Sequence, residues 1–180
     1  MTGARRAEME HLRWDNVDFE RGLVHIEPDP ATGWSPKNET SVRAVPMCPE
    51  LRAILADLQR TRRPDVPHVF CLPNGEPILR WPDYPLRRLQ SAIRWLRRKK
   101  INVRSGTLRM LRHWFISSNL NRRENPLNPV EMTKLVGHTH MEMICRAYYH
   151  ADQAKIREKM ETFKVVGGPR PRLSAVKVAS

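Results

Sequence analysis

Cysteine is scarce: three residues among 180, Cys48, Cys71 and Cys145, odd in number and far apart. Such spacing carries neither a disulfide framework nor a paired Cys-x-x-Cys zinc site, and it suits a reducing compartment. No apolar run approaches the roughly 18 to 20 residues that a membrane span needs, and the opening residues lack the apolar stretch of a secretory signal. The expectation is a soluble cytoplasmic protein with no membrane partner. No glycine-rich phosphate loop of the P-loop type occurs, no Gly-x-Ser-x-Gly, and no carboxylate set suited to two-metal hydrolysis. An internal repeat is also missing. Acidic residues are in deficit, 19 Asp and Glu against 32 Lys and Arg, which leaves a formal charge of +13.

That deficit is local. Between residues 84 and 123 there is no Asp or Glu, while Arg87, Arg88, Arg94, Arg97, Arg98, Lys99, Lys100, Arg104, Arg109, Arg112, Arg122 and Arg123 all fall inside. A surface that only keeps a protein soluble interleaves both signs. A stretch of one sign points to a polyanionic partner, and the first eight of these residues are candidates for contacting nucleic-acid phosphates.

The apolar pattern predicts a mainly helical chain with one core and a small antiparallel sheet. A helix is expected over residues 2–12, ended by a turn at Asp15, Asn16 and Asp18. Strands are expected at residues 23–26 and 42–45, separated by a turn-rich stretch that carries Trp34 and Lys37. Pro49 and Glu50 open a helix whose Leu51, Ile54, Leu55 and Leu58 recur at helical spacing and read as core. Residues 85–96 place Leu86, Leu89, Ile93 and Leu96 on one helical face and arginines on the other. In residues 107–121, Leu108, Leu111, Phe115 and Ile116 are expected to point inward. Asn128, Pro129 and Glu131 resemble a capping box, and Gly137 is a helix stop. A last helix is expected over residues 155–163, followed by a basic, flexible tail.

Four separated segments stand out. The first is Thr2-Gly3-Ala4-Arg5-Arg6-Ala7-Glu8-Met9, with Leu12-Arg13-Trp14 and Asp18 behind it; the second runs from Lys37 to Arg43-Ala44-Val45-Pro46. The third is Thr107-Leu108-Arg109-Met110-Leu111-Arg112-His113-Trp114-Phe115, and the fourth is Leu135-Val136-Gly137-His138 with Tyr148 ten residues later and His150 two beyond it. In order and spacing these resemble the four boxes of the tyrosine recombinases, or phage integrases, across residues 2–163.

The resemblance implies a catalytic domain over residues 1–165 with a C-terminal tail at 166–180, the family's N-terminal core-binding domain lying outside this chain. It implies that Arg5 and Arg112 hold the scissile phosphate and that Lys37 is the hairpin lysine. His138 becomes the last basic residue of the site, and Tyr148 the nucleophile that forms a 3′-phosphotyrosyl link. Arg109 stands where the family usually has His, a departure that removes acid–base capacity there but keeps a phosphate ligand. Tyr149 is the rival nucleophile, one residue too late in spacing.

The implied reaction needs no metal, nucleotide or other cofactor. Its partner is duplex DNA, with the protein monomeric alone and tetrameric in a synapse. His138, His140, Cys145 and His150 do not follow a usual zinc spacing. Two other readings remain open on the sequence: a type IB topoisomerase-like nicking and closing activity, and a catalytically silent DNA-binding module.

Overall fold

A computed structural model describes residues 2–138, 140–148, 156–157 and 160–161. The chain divides into two units, residues 1–149 and 150–180. In the second, the described residues are helical, and Arg157 Nε donates to Glu161 Oε1 at 3.2 Å. The expected last helix otherwise lies outside the described residues, as do the tail, Tyr149 and His150.

The first unit begins in extended backbone and turns into a short helix, α1 (Arg6–Glu10). The sequence suggested a longer helix here. Gly3 at φ 61° and Arg5 at φ −72°, ψ 156° hold the preceding segment out of helical geometry. Strands β1 (Val17–Asp18), β2 (Leu23–Ile26) and β3 (Arg43–Pro46) form an antiparallel sheet in that order. The register pairs Val24 with Val45 and Val17 with Val24. Alternation along β2 sends Val24 and Ile26 inward, as a half-buried strand requires.

Three longer helices and two of eight residues complete the unit: α2 (Pro49–Thr61), α3 (Tyr84–Arg98), α4 (Leu108–Asn121), α5 (Pro129–Val136) and α6 (Met141–Tyr148). The capping box of α5 forms as its sequence predicts. Glu131 N donates to Asn128 Oδ1 at 2.9 Å, and Asn128 N donates to Glu131 Oε2 at 2.7 Å. Gly137 ends the helix in the left-handed conformation at φ 65°, where a Cβ would stand 2.9 Å from Arg43.

Two apolar clusters hold the unit. One joins Leu12, Trp14, Val24, Ile26, Val45, Leu55 and Val69; the other joins Phe115, Ile116, Leu120, Met132, Val136 and Ile144. Leu135 packs against both. Fully burying a side chain of this size stabilises by about 1.5–3 kcal/mol, so the second cluster is what fixes α4, α5 and α6 against one another. Two expected core positions are corrected: Ile54 is 46% exposed and Leu111 is 53% exposed. On α2 only Leu55 is buried, so the apolar stripe that faces the core is narrower than the spacing suggested. On α4, Leu111 instead borders an apolar pocket of about 370 Å³, together with Met9, Phe70, Ile78 and Phe115.

The long connection between β2 and β3 is fastened at its base by buried Asp29. His68 Nε2 donates to its carboxylate at 3.0 Å, Thr32 Oγ1 at 2.9 Å and His11 Nδ1 at 3.2 Å. The His11 ring stacks on Trp34 with centroids 4.7 Å apart. Burial pushes the Asp29 carboxyl up, but these hydrogen bonds outweigh it and hold the group well below the usual carboxylate range. The connection that carries Lys37 is therefore anchored at Asp29, eight residues before the lysine.

Candidate active site

A cleft of about 720 Å³ is lined by Arg5, Lys37, Arg109, Arg112, His138 and Tyr148, all six of the positions singled out as catalytic candidates from the sequence. They arrive from five parts of the chain. Arg5 precedes α1, Lys37 lies in the connection before β3, Arg109 and Arg112 sit on α4, His138 follows α5, and Tyr148 ends α6. Arg6, Asn38, Thr107, His113, His140 and Met143 also border the cleft.

Arg5 and Arg112 are each held by hydrogen bonds to the protein. Arg5 Nη1 donates to Glu8 Oε1 at 2.7 Å and to Ser41 Oγ at 3.2 Å, while Nη2 donates to the Gly137 carbonyl at 2.9 Å. Arg112 Nη2 donates to the Val136 carbonyl at 2.9 Å, and Nη1 donates to the Gly3 carbonyl. Glycine is required at position 3. It is left-handed, and a Cβ there would meet the Phe115 ring at 2.5 Å. Thus the start of the chain receives an arginine from α4, and the end of α5 receives the arginine that opens α1.

Glu8 is the buried counter-charge of this assembly. Its side chain is 2% exposed, and besides Arg5 it accepts from Arg43 Nη2 at 2.9 Å and Nη1 at 3.3 Å. Arg43 Nε also donates to the Leu135 carbonyl at 2.8 Å, which ties β3 to α5. Burial alone would raise the Glu8 carboxyl, yet the hydrogen bonds and charge of Arg43, with the bonds from Arg5, bring it below its ordinary value. Glu8 and Arg43 were visible in the sequence as parts of the first two boxes. Their mutual contact was not, because 35 residues separate them.

Cations crowd the site, and its titrating groups respond. Burial, followed by the charges of Arg112, Arg5 and Arg43, pushes the His138 imidazole down to about 4, so it is neutral at pH 7. Burial and the neighbouring Arg5 bring Arg112 down to about 10, which leaves it charged. Burial raises the Tyr148 phenol, opposed by Arg112 and Arg109. The Tyr148 hydroxyl hydrogen-bonds to His113 Nδ1, and the two rings lie 5.4 Å apart at 40°. Asn121 Nδ2 donates to the Tyr148 carbonyl at 2.8 Å and pins the end of α6 to α4. The sequence pattern contained His113, beside Arg112, but gave it no role.

The eight basic residues expected to meet DNA form a separate population. Arg87, Arg88, Arg94, Arg97 and Arg98 stand on the outer side of α3, and Lys99, Lys100 and Arg104 lie in the connection after it; all eight are exposed. Arg97 donates to the Val103 carbonyl at 2.9 Å and to Ser105 Oγ at 2.9 Å, which folds that connection back on the helix end. Among the described residues no His, Cys, Asp and Glu group of three or more could hold a metal ion, and no helix is long and apolar enough to cross a membrane.

Solved structures share this fold. The Tn1549 transposon integrase in complex with circular intermediate DNA superposes with a TM-score of 0.68 at 22% identity, over 89% of this chain and 56% of that one. XerA recombinase gives 0.60 at 22% identity, over 89% and 52%, and XerH site-specific recombinase bound to its difH substrate gives 0.59 at 19% identity, over 91% and 44%. The chain therefore spans about half the length of these proteins. Among curated proteins none matches the chain. The pattern of the phage integrase family matches residues 1–155. With that match covering most of its length and the tyrosine recombinase fold around the cleft, the chain belongs to the phage integrase family.

Proposed function

We propose that this chain is the catalytic part of a site-specific DNA recombinase, which cleaves a DNA strand by attack of Tyr148 on a phosphodiester and rejoins it to another strand. The observation that carries the reading is the meeting of Arg5, Lys37, Arg109, Arg112, His138 and Tyr148 around one cleft. A phosphodiester already bears a negative charge, and charge concentrates on its nonbridging oxygens as a fifth oxygen approaches. Arg5 and Arg112 supply forked N–H donors to those oxygens, Arg109 on the cleft wall adds a further cation, and the neutral His138 imidazole supplies one N–H.

The leaving 5′ oxygen requires a proton as its bond breaks, and Lys37 lies on the cleft as the acid for that step. The 3′-phosphotyrosyl link conserves the bond free energy, so rejoining needs no nucleotide, and four cations supply the charge that a metal ion otherwise would. Exposed α3 and the basic connection behind it track the phosphate backbone of the duplex. A DNA-bound homotetramer follows from the need to exchange strands between two duplexes, with the protein acting in the cytoplasm on nucleoid DNA.

Incubation with a duplex nicked just beyond the cleavage site traps the covalent adduct, because the short 5′ fragment diffuses away. Tyr148→Phe should abolish the adduct and Tyr149→Phe should spare it, in the presence of EDTA and without ATP. The departure at Arg109 favours one other reading, a DNA-binding module without chemistry. Failure of the intact protein to form any adduct, with DNA binding retained, would establish it.

A further inference from the structure

We propose that His113 is the proton acceptor for the Tyr148 hydroxyl in cleavage and the proton donor to the same oxygen in rejoining. The proposal rests on the recombinase reading above and adds a residue that the four sequence boxes leave without a role.

A phenol is only about one part in a thousand ionised at neutral pH, and burial makes the Tyr148 proton harder still to lose. Attack on phosphorus therefore needs a nitrogen base in contact with the hydroxyl. Arg109 occupies the α4 position one turn before His113 and cannot serve, since a guanidinium has no acceptor and does not deprotonate in proteins. Arg5 and Arg112 are excluded for the same reason. Lys37 is the acid of the opposite step. His138 borders the cleft, but burial and then the surrounding guanidiniums make it a poor base.

His113 meets the requirement by geometry. The Tyr148 hydroxyl is hydrogen-bonded to its Nδ1, and in the tautomer that carries the imidazole proton on Nε2 this nitrogen accepts from the hydroxyl. The rings are inclined at 40° rather than stacked, so Nδ1 approaches the hydroxyl and not the face of the phenol ring. Both partners are fixed: His113 follows Arg112 on α4, and the Tyr148 carbonyl is bound by Asn121 from the same helix. The Tyr148 side chain also packs against the cluster of Phe115, Ile116 and Ile144.

The step balances. As the Tyr148 oxygen forms its bond to phosphorus, its proton passes to His113 Nδ1, the bond from phosphorus to the 5′ oxygen breaks, and that oxygen takes a proton from the Lys37 ammonium. In rejoining, the incoming 5′ hydroxyl gives its proton to the Lys37 amine and attacks phosphorus. The phosphotyrosyl bond breaks, and the Tyr148 oxygen recovers its proton from the His113 imidazolium. Cationic charge moves across the cleft from Lys37 to His113 and back, with none lost.

The test is single-turnover cleavage of the nicked duplex by the intact protein and its His113→Gln and His113→Gly variants. Gln keeps a hydrogen-bond acceptor but cannot carry the proton, so both variants should cleave about 100-fold or more slowly, the range of a lost general base. Added imidazole should restore part of the His113→Gly rate, with the adduct still on Tyr148. A substrate whose 5′ bridging oxygen is replaced by sulfur, a leaving group that needs no proton, should rescue Lys37→Ala and leave His113→Gln slow. Cleavage by His113→Gln at the wild-type rate would overturn the proposal alone. So would slow variants of wild-type thermal stability that imidazole does not accelerate. A wild-type protein that forms no adduct would instead remove the recombinase reading, and this proposal with it.

Discussion

Two populations of arginine share this chain and behave differently. Those of α3 are exposed on a segment that contains no carboxylate, with Arg97 bonded to its own following connection at Val103 and Ser105, and their positions follow from helical periodicity. Arg5, Arg43 and Arg112 are instead held by Glu8, Ser41 and the carbonyls of Gly3, Leu135, Val136 and Gly137. In the proposed function the first population attracts a polyanion from a distance and yields to salt. In the proposed reaction, Arg5 and Arg112 of the second population, already held in place by these acceptors, would need little reorganisation as charge develops on the phosphate. The same residue type is left exposed in one place and held by fixed acceptors in the other, and in the proposed function that difference separates steering from chemistry.

The strongest way to break the contrast is Arg112→Lys. An ammonium cannot keep the bonds to Gly3 and Val136 and still offer a fork to phosphate. Cleavage of the nicked duplex should fall by about 100-fold to 1000-fold, the cost of removing a transition-state donor, while binding of intact duplex changes little. Equal losses in binding and cleavage would show that Arg112 only adds charge.

Glu8→Gln tests whether the cleft arginines depend on their buried counter-ion. Breaking one partner of a buried ion pair costs about 3–5 kcal/mol, so urea unfolding should report a loss of that order and cleavage should drop with it. An unfolding midpoint within error of wild type would mean that a neutral amide serves Arg5 and Arg43 as well as the carboxylate does.

The smallest effect belongs to α3. Arg94→Ala and Arg98→Ala should each leave thermal stability within about 0.5 kcal/mol, weaken duplex binding a few-fold, and lower the slope of log affinity against log salt by about 1. A loss of cleavage at saturating DNA without a change in that slope would move these residues from steering into the chemistry.

Legibility in the sequence followed the range of the interactions. The β2 strand, the capping box and Gly137 stop of α5, and the half-basic helix α3 were readable because each is encoded within a few neighbouring residues. The six catalytic candidates were readable as boxes, though the sequence alone could not say that they share a cleft. Ile54 and Leu111 were misread as core because periodicity reports which face is apolar, not how much of it another element covers. His113 went unassigned because its partner, Tyr148, lies 35 residues away.

By itself, then, the sequence determined the charge asymmetry, the helix starts and stops, and the residue types that can hold a phosphate and attack it. These are local properties, fixed by side-chain chemistry and by backbone preferences over a turn or two. Only the tertiary structure decided which guanidinium meets which carbonyl, that Glu8 joins Arg5 to Arg43, and that the Tyr148 hydroxyl faces His113. Apart from Arg5 and Glu8, three residues apart, these partners lie too far apart in the chain for one window of sequence to contain both, and the packing of α4, α5 and α6 around one apolar cluster brings Tyr148 to His113.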